Sequence, residues 1–368
     1  MNASASNTHP AAAGKILLCA LAACGVISSA PAFAADTLKG QVLGAGAPIA
    51  NSTVTLFAAS AGAPRQLAQA RTGADGRFIL NPRSAPARDA TLYLVARGGQ
   101  RTAGKGSGSN PAIALMTVLG STPPAEVTIN EMTTVASVWT HNQFIDSTGI
   151  RGHTLGLKIA AGNAPSFVDL ATGGWGTVIQ DPLNSSQSPT MANFASLADV
   201  LAACITRLTP DACDKLFAAT TPPIGRIPAD TLTAAQSIAQ YPRYQPGRLF
   251  ALIADFYPVP QGKIFRMVPY MPYLNFAPSA WVLPLKYTGG SYIAGGKAMF
   301  GSEGNMWVGN NFIVGEQAQD SSWNGNATKF DGNGKPLSPH SMGFGWVPGG
   351  GIGGPDGGSV TLLRPDGT

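Results

Sequence analysis

GGKAMFGSEGNMWVGNNF at residues 295–312, continued by NATKFDGNGKPLSP at 326–339, decides the architecture of the C-terminal third. Residues 297–300 suit a strand, 301–305 (GSEGN) a tight turn and 306–310 a second strand. Residues 327–331 suit a third strand, 332–334 (GNG) a turn and 335–338 a fourth. Apolar side chains recur along these runs at Met299, Met306, Val308, Phe330 and Leu337. Four short strands with Gly/Asn turns in about 40–45 residues are the unit of a β-propeller. No second unit follows before Thr368. One blade leaves both faces to cover, and about three stacked repeats are the usual minimum. The expectation is a partial, truncated propeller whose open edges could associate between chains.

Upstream, residues 257–279 (YPVPQGKIFRMVPYMPYLNFAPS) form an aromatic, proline-rich connector. Residues 281–287 (WVLPLKY) read as a strand entering the blade, so the connector spans 257–287 and the blade with its tail 288–368. Aromatics, Met and Arg are enriched at interfaces. The candidate binding surface is therefore here, on Phe265, Tyr270, Tyr273 and Phe276.

Residues 111–256 turn helical. One helix opens near Asn130, a plausible N-cap, with Glu131 in its first turn, and runs to about residue 145. A second covers 190–204, with Phe194, Leu197, Val200 and Leu201 on one face. Further helices are read at 211–219, from 230 or 231 to 241, and at 248–256, bracketed by Pro222, Pro223, Pro228 and Pro246. Cys204 ends the second helix and Cys213 opens the third, which makes a local disulfide the default reading in an oxidising compartment. His141 and His153 lack metal-ligand spacing, so no metal and no cofactor are expected.

Residues 35–99 read as a small β-sandwich. Strands at 39–43, 53–57, 67–71, within 72–80 and at 91–97 are punctuated by Gly, Asp and Asn every 8–12 residues. Residues 100–110 (QRTAGKGSGSN) read as a Gly/Ser-rich linker to the helical region.

The first 34 residues have the form of an export signal. Lys15 precedes an apolar run at 16–27, and Ala32-Phe33-Ala34 offers a small-x-small cleavage motif. Two outcomes stay open: cleavage between Ala34 and Ala35, or lipid attachment at Cys24, which ends a lipobox-like Leu21-Ala22-Ala23-Cys24. Either places the chain in the periplasm, outside the cell or on the outer surface. Losing Lys15, the one charge there, takes the net charge from +5 to +4. The basic residues are scattered, so no nucleic-acid partner is expected. The 12-residue apolar run is too short to span a membrane, and no transmembrane helix is expected. Gly and Pro, 45 and 29 of 368 residues, exceed the usual share and suit turn-rich β structure.

Gly40-Gln41-Val42, residues 48–56 (PIANSTVTL) and residues 72–78 (TGADGRF) resemble a carboxypeptidase regulatory-like, prealbumin-type module. That resemblance implies a spacer or docking role, with Asp75 and Gly76 shaping a turn. The C-terminal third resembles NHL-type propellers, including the streptogramin B (virginiamycin B) lyase family. Residues 304–308 (GNMWV), 329–331 (KFD), 332–334 (GNG) and 335–339 (KPLSP) carry it. The helical segment with its cysteine pair also resembles the region before the propeller in large secreted bacterial proteins. The lyase family implies a catalytic His and Glu with magnesium, supplied by several blades. Glu303, Glu316 and His340 match none of those motifs, so no catalytic residue is assigned.

The sequence also holds no nucleophile elbow, zinc-binding HExxH helix or Walker loop. The whole reads as a multidomain β and α chain: N-terminal sandwich, helical middle and partial blade. The expected function is an exported binding or scaffold protein for a protein or glycan. A propeller enzyme of lyase or hydrolase type, lacking its active-site blades, is the alternative.

Overall fold

A computed structural model describes residues 37–82, 86–87, 90–102, 108–290, 295–310, 327–338, 352–353 and 360–361. The N-terminal segment read as an export signal, with Cys24, Ala34 and Ala35, and also Glu316 and His340, lie outside the described residues.

Nine strands open the fold: β1 (Leu38–Gly44), β2 (Ala47–Ala50), β3 (Thr53–Ala59), β4 (Arg65–Arg71), β5 (Arg77–Leu80), β6 (Thr91–Arg97), β7 (Gln100–Arg101), β8 (Ala114–Gly120) and β9 (Glu126–Ile129). One sheet has the order β5-β1-β2-β7, with β9 parallel to β1; the other is β4-β3-β6-β8. In β1 burial alternates, as a strand with one covered face requires. The Thr72–Phe78 stretch makes the expected turn: Asp75 Oδ1 accepts from Arg77 N at 3.0 Å, and Gly76 sits at φ +73°. A Cβ there would lie 2.6 Å from the Val42 carbonyl, so only glycine fits.

The boundary at 99 and the linker at 100–110 do not correspond to the sheets. β7, β8 and β9 belong to them, and the paired strands continue to Ile129. The reason is visible in β8, ALMTVLG, which is buried on both faces and so shows no alternation. A short apolar run of that kind cannot be told from helix by periodicity.

The helices are α1 (Glu131–Thr140), α2 (Thr154–Phe167), α3 (Thr177–Gln180), α4 (Pro182–Ser185), α5 (Thr190–Thr206), α6 (Ala212–Thr220), α7 (Thr231–Gln240) and α8 (Pro246–Phe256). A two-strand ribbon, β10 (Ile145–Asp146) and β11 (Gly149–Ile150), lies between α1 and α2. Asn130 caps α1 reciprocally: its side chain accepts from Thr133 N at 2.8 Å, and Thr133 Oγ1 accepts from Asn130 N at 2.9 Å. Asp230 and Thr233 cap α7 in the same way. α2 was not expected, because Gly156, Gly162 and Pro165 break its pattern. Cys204 and Cys213 form the expected disulfide, with S–S 2.08 Å, joining α5 to α6.

α1 and α7 cover the free edge of β8. Met116 N donates to Thr134 Oγ1 at 3.0 Å and Val118 N to Ser137 Oγ at 2.9 Å. Ala114 N donates to Thr231 Oγ1 at 3.0 Å. These three alternate amides point away from β6, and helix hydroxyls take the place of a further strand.

Near the C-terminus, β12 (Gly295–Phe300), β13 (Met306–Asn310) and β14 (Ala327–Phe330) form an antiparallel sheet in that order. The expected fourth strand is present only as a bridge between Phe330 and Pro336. Among the described residues no closed barrel or propeller forms; the architecture is β and α. The sheet is not bare, however. Its GSEGN and DGNG turns lie on α2, where Asn333 Nδ2 donates to the Ile159 carbonyl at 3.0 Å. A Cβ on Gly304 would come within 2.3 Å of Ile159 Cδ1.

Candidate functional site

Residues 257–287 contain no helix or strand, including 281–287, which were expected to be a strand. Their backbone is instead held by side chains of α5. Tyr270 N donates to Asp199 Oδ1 at 2.9 Å, and Leu274 N to Ser196 Oγ at 2.9 Å. Asn193 Nδ2 donates to the Val282 carbonyl at 3.2 Å, and Thr190 Oγ1 to the Pro284 carbonyl at 2.6 Å. Connector numbers rise as helix numbers fall, so the connector runs antiparallel to α5. Thr190, Asn193, Ser196 and Asp199 are three apart. Each step falls about 60° short of a full turn, so the stripe, and the connector on it, winds about halfway round the helix.

Beyond the stripe, Asn184 Nδ2 donates to the Lys286 carbonyl at 3.1 Å, and Lys286 N donates to Asn184 Oδ1 at 2.7 Å. Trp281 is fully buried; its N–H donates to the Pro242 carbonyl, and its own carbonyl accepts from Trp139 Nε1 at 3.1 Å.

The deepest anchor is a cluster of two carboxyls and two tyrosines. Glu131 is fully buried; Oε1 accepts from Ala45 N at 2.8 Å and Oε2 from the Tyr270 hydroxyl at 2.6 Å. The Tyr257 hydroxyl donates to the Asp199 carbonyl at 3.0 Å. Asp199 is also fully buried, and its Oδ2 has no hydrogen-bond partner. Burial, partly offset by the Tyr270 N–H and reinforced by the Glu131 charge, pushes Asp199 up to about 8. Burial raises Glu131 too. Burial first, then the Glu131 charge, holds the Tyr270 hydroxyl well above its ordinary value. Asp199 is therefore neutral at pH 7. A neutral carboxyl tolerates an unpaired buried oxygen far better than a carboxylate would.

Both carboxyls are closed to solvent, and the chemistry of the arrangement is that of a clasp. A pocket lined by Thr220, Ser237, Tyr241, Tyr244, Leu249 and Trp281 is about 20 Å³, room for a single water. His141 is buried and burial pushes it down to about 4; His153 caps α2. Among the described residues no three His, Cys, Asp or Glu side chains come close enough to hold a metal ion. No described helix is long and apolar enough to cross a membrane.

The four aromatics expected to form one surface divide. Phe265 and Phe276 are 61% and 83% exposed. Tyr270 turns inward to Glu131, and the Tyr273 hydroxyl accepts from Arg266 N at 3.1 Å. The outward face instead gains Ile264, Met267 and Met271, all more than half exposed. The polar stripe on α5 escaped sequence reasoning, although hydrophilic residues every third position in an otherwise apolar helix were there to be seen.

No protein-family model matches the chain, and no curated protein is similar to it at a significant level. Among solved structures, the chain is similar to a 9R-lipoxygenase from Cyanothece PCC8801 at 12% identity, with a TM-score of 0.18. The similarity covers 87% of this chain and 43% of the lipoxygenase. At that score it carries no argument about fold or activity.

Proposed function

We propose that this is an exported binding or scaffold protein whose sandwich and helical layers hold a propeller-type blade in place for contact with a protein or glycan. Residues 1–34 are read as its export signal. The observation that carries the proposal is the seating of the blade. Both of its hairpin turns rest on α2, through Ile159 packing and the Asn333–Ile159 bond of 3.0 Å. A second bond, Asn163 Nδ2 to the Gly332 carbonyl at 3.4 Å, reinforces it. Trp307, Val308 and Phe330 are buried, while Met299 and Leu337 stay 42% and 45% exposed. Such a blade is positioned rather than tethered, which suits presentation of a surface.

The test is photocrosslinking in the exporting cell, from positions 299 and 337 on the blade and 79 on the sandwich. Ile79 is 56% exposed and serves as the comparison. A discrete adduct from the blade positions alone supports the proposal. Equal labelling from all three, or none from the blade, would overturn it.

A further inference from the structure

The exposed apolar side chains of the connector are a separate feature that the blade does not explain. Ile264, Phe265, Met267, Met271 and Phe276 expose 82, 61, 72, 52 and 83% of their surface. Five large apolar side chains on one short segment exceed the scattered exposure normal for a monomer. They cannot fold away. The segment's inner side is already spent on Asp199, Ser196 and Glu131, and Val268, Tyr270 and Leu274 pack on the core.

The charge on this segment has one sign. Lys263, Arg266 and Lys286 fall within it, and no acidic residue lies between Asp255 and Glu303. Lys263 is exposed and directly precedes Ile264-Phe265. Exposed apolar side chains next to cations, on a segment with no acidic residue of its own, fit a lipid surface. The acyl boundary of a bilayer takes the apolar groups, and anionic headgroups take the cations. A protein partner would need a shaped counterpart, whereas a lipid surface adapts to an irregular loop.

We infer that the connector around Lys263, Ile264, Phe265, Met267 and Phe276 docks the protein on an anionic lipid surface. Phe265 and its apolar neighbours enter the headgroup and acyl boundary, while Lys263 stays among the phosphates. The pinned backbone keeps these side chains presented, so no ordering step precedes contact.

The experiment is cosedimentation of the purified exported chain, in a Cys24→Ser background that removes any attached lipid. The vesicles are phosphatidylcholine alone or with about one third phosphatidylglycerol. Partition into the anionic vesicles is expected to fall as salt rises. Lys263→Gln should lower it roughly fivefold. The triple change Phe265→Ser, Met267→Ser and Phe276→Ser should lower it by more than about tenfold. These positions are exposed, so far-ultraviolet circular dichroism should match the parent; Ile264→Glu provides a second exposed variant with the same expected loss. Equal partition into both vesicle types, no loss in the triple variant, or no partition at all would each overturn the inference. So would a protein adduct from a crosslinker at position 265 with the vesicles left unbound. None of these results bears on crosslinking from the blade.

Discussion

The Tyr270 hydroxyl donates to Glu131 Oε2 at 2.6 Å across 139 positions of sequence. This bond ties the connector to the first residue of α1, whose other carboxylate oxygen holds the β1–β2 turn through Ala45 N. The β1–β2 turn, α1 and the connector thus meet at one buried carboxyl.

Tyr270→Phe removes that donor and leaves Glu131 Oε2 buried without it. The expected cost is about 1–3 kcal/mol, seen as a lower urea midpoint and faster proteolysis within 258–280. An unchanged midpoint and cleavage pattern would show that the clasp contributes nothing.

The acid pair makes stability fall as pH rises. Asp199 titrates at about 8 in the folded chain against 3.8 as an ordinary carboxyl, so the folded state binds more protons between those values. Stability declines across that window, by at most about 1.4 kcal/mol per pH unit from this group, and levels off above its folded value. Glu131, also raised, acts in the same direction. His141, lowered to about 4 from 6.5, acts oppositely but only between those values. The clean window is therefore from 6.5 to about 8. Denaturation midpoints should drop across it in the parent and drop less in Asp199→Asn. A rise across the window would contradict the assignment.

Ser137→Ala orphans the buried Val118 N–H at the edge of β8. A loss of about 1–3 kcal/mol is expected, together with faster hydrogen exchange at Val118 than at Leu119. If exchange at Val118 were unaffected, the hydroxyl would not be what closes this edge.

Cys204→Ser with Cys213→Ser opens a link of sequence separation 9 between α5 and α6. Short loops of this kind contribute on the order of 2–3 kcal/mol. Non-reducing peptide mapping of protein purified without reductant should recover both cysteines in one species, and the double variant should unfold at lower denaturant.

The β12–β14 sheet should be protected in the monomer. Amides of 306–310 and 327–330 are expected to exchange slowly in parent protein and faster in Ile159→Ala, which removes the side chain beneath both turns. Slow exchange seen only in an oligomer would mean that another chain, not α2, covers the sheet.

Much of the fold was legible in the sequence wherever its cause is local. Asn130 and Asp230 at helix starts, Asp75-Gly76 in a turn, and GSEGN and DGNG in hairpins act within three or four residues. The cysteine pair is local too. The apolar face of α5 follows from periodicity, and Phe194, Leu197, Val200 and Leu201 are buried as expected.

Only the tertiary structure decided the rest. β8 is buried on both faces, so no pattern marked it as a strand, and its edge is closed by hydroxyls from α1 and α7. The stripe Thr190, Asn193, Ser196 and Asp199 shows in the sequence as a polar line, but a line does not name what it binds. Its partner is a proline-rich segment some 71 to 94 positions away, met through backbone N–H and carbonyl groups that leave no mark in the side-chain pattern. Periodicity reports which side chains need company. Which company they find depends on chain closure over long separations, and that is settled by packing rather than by local sequence.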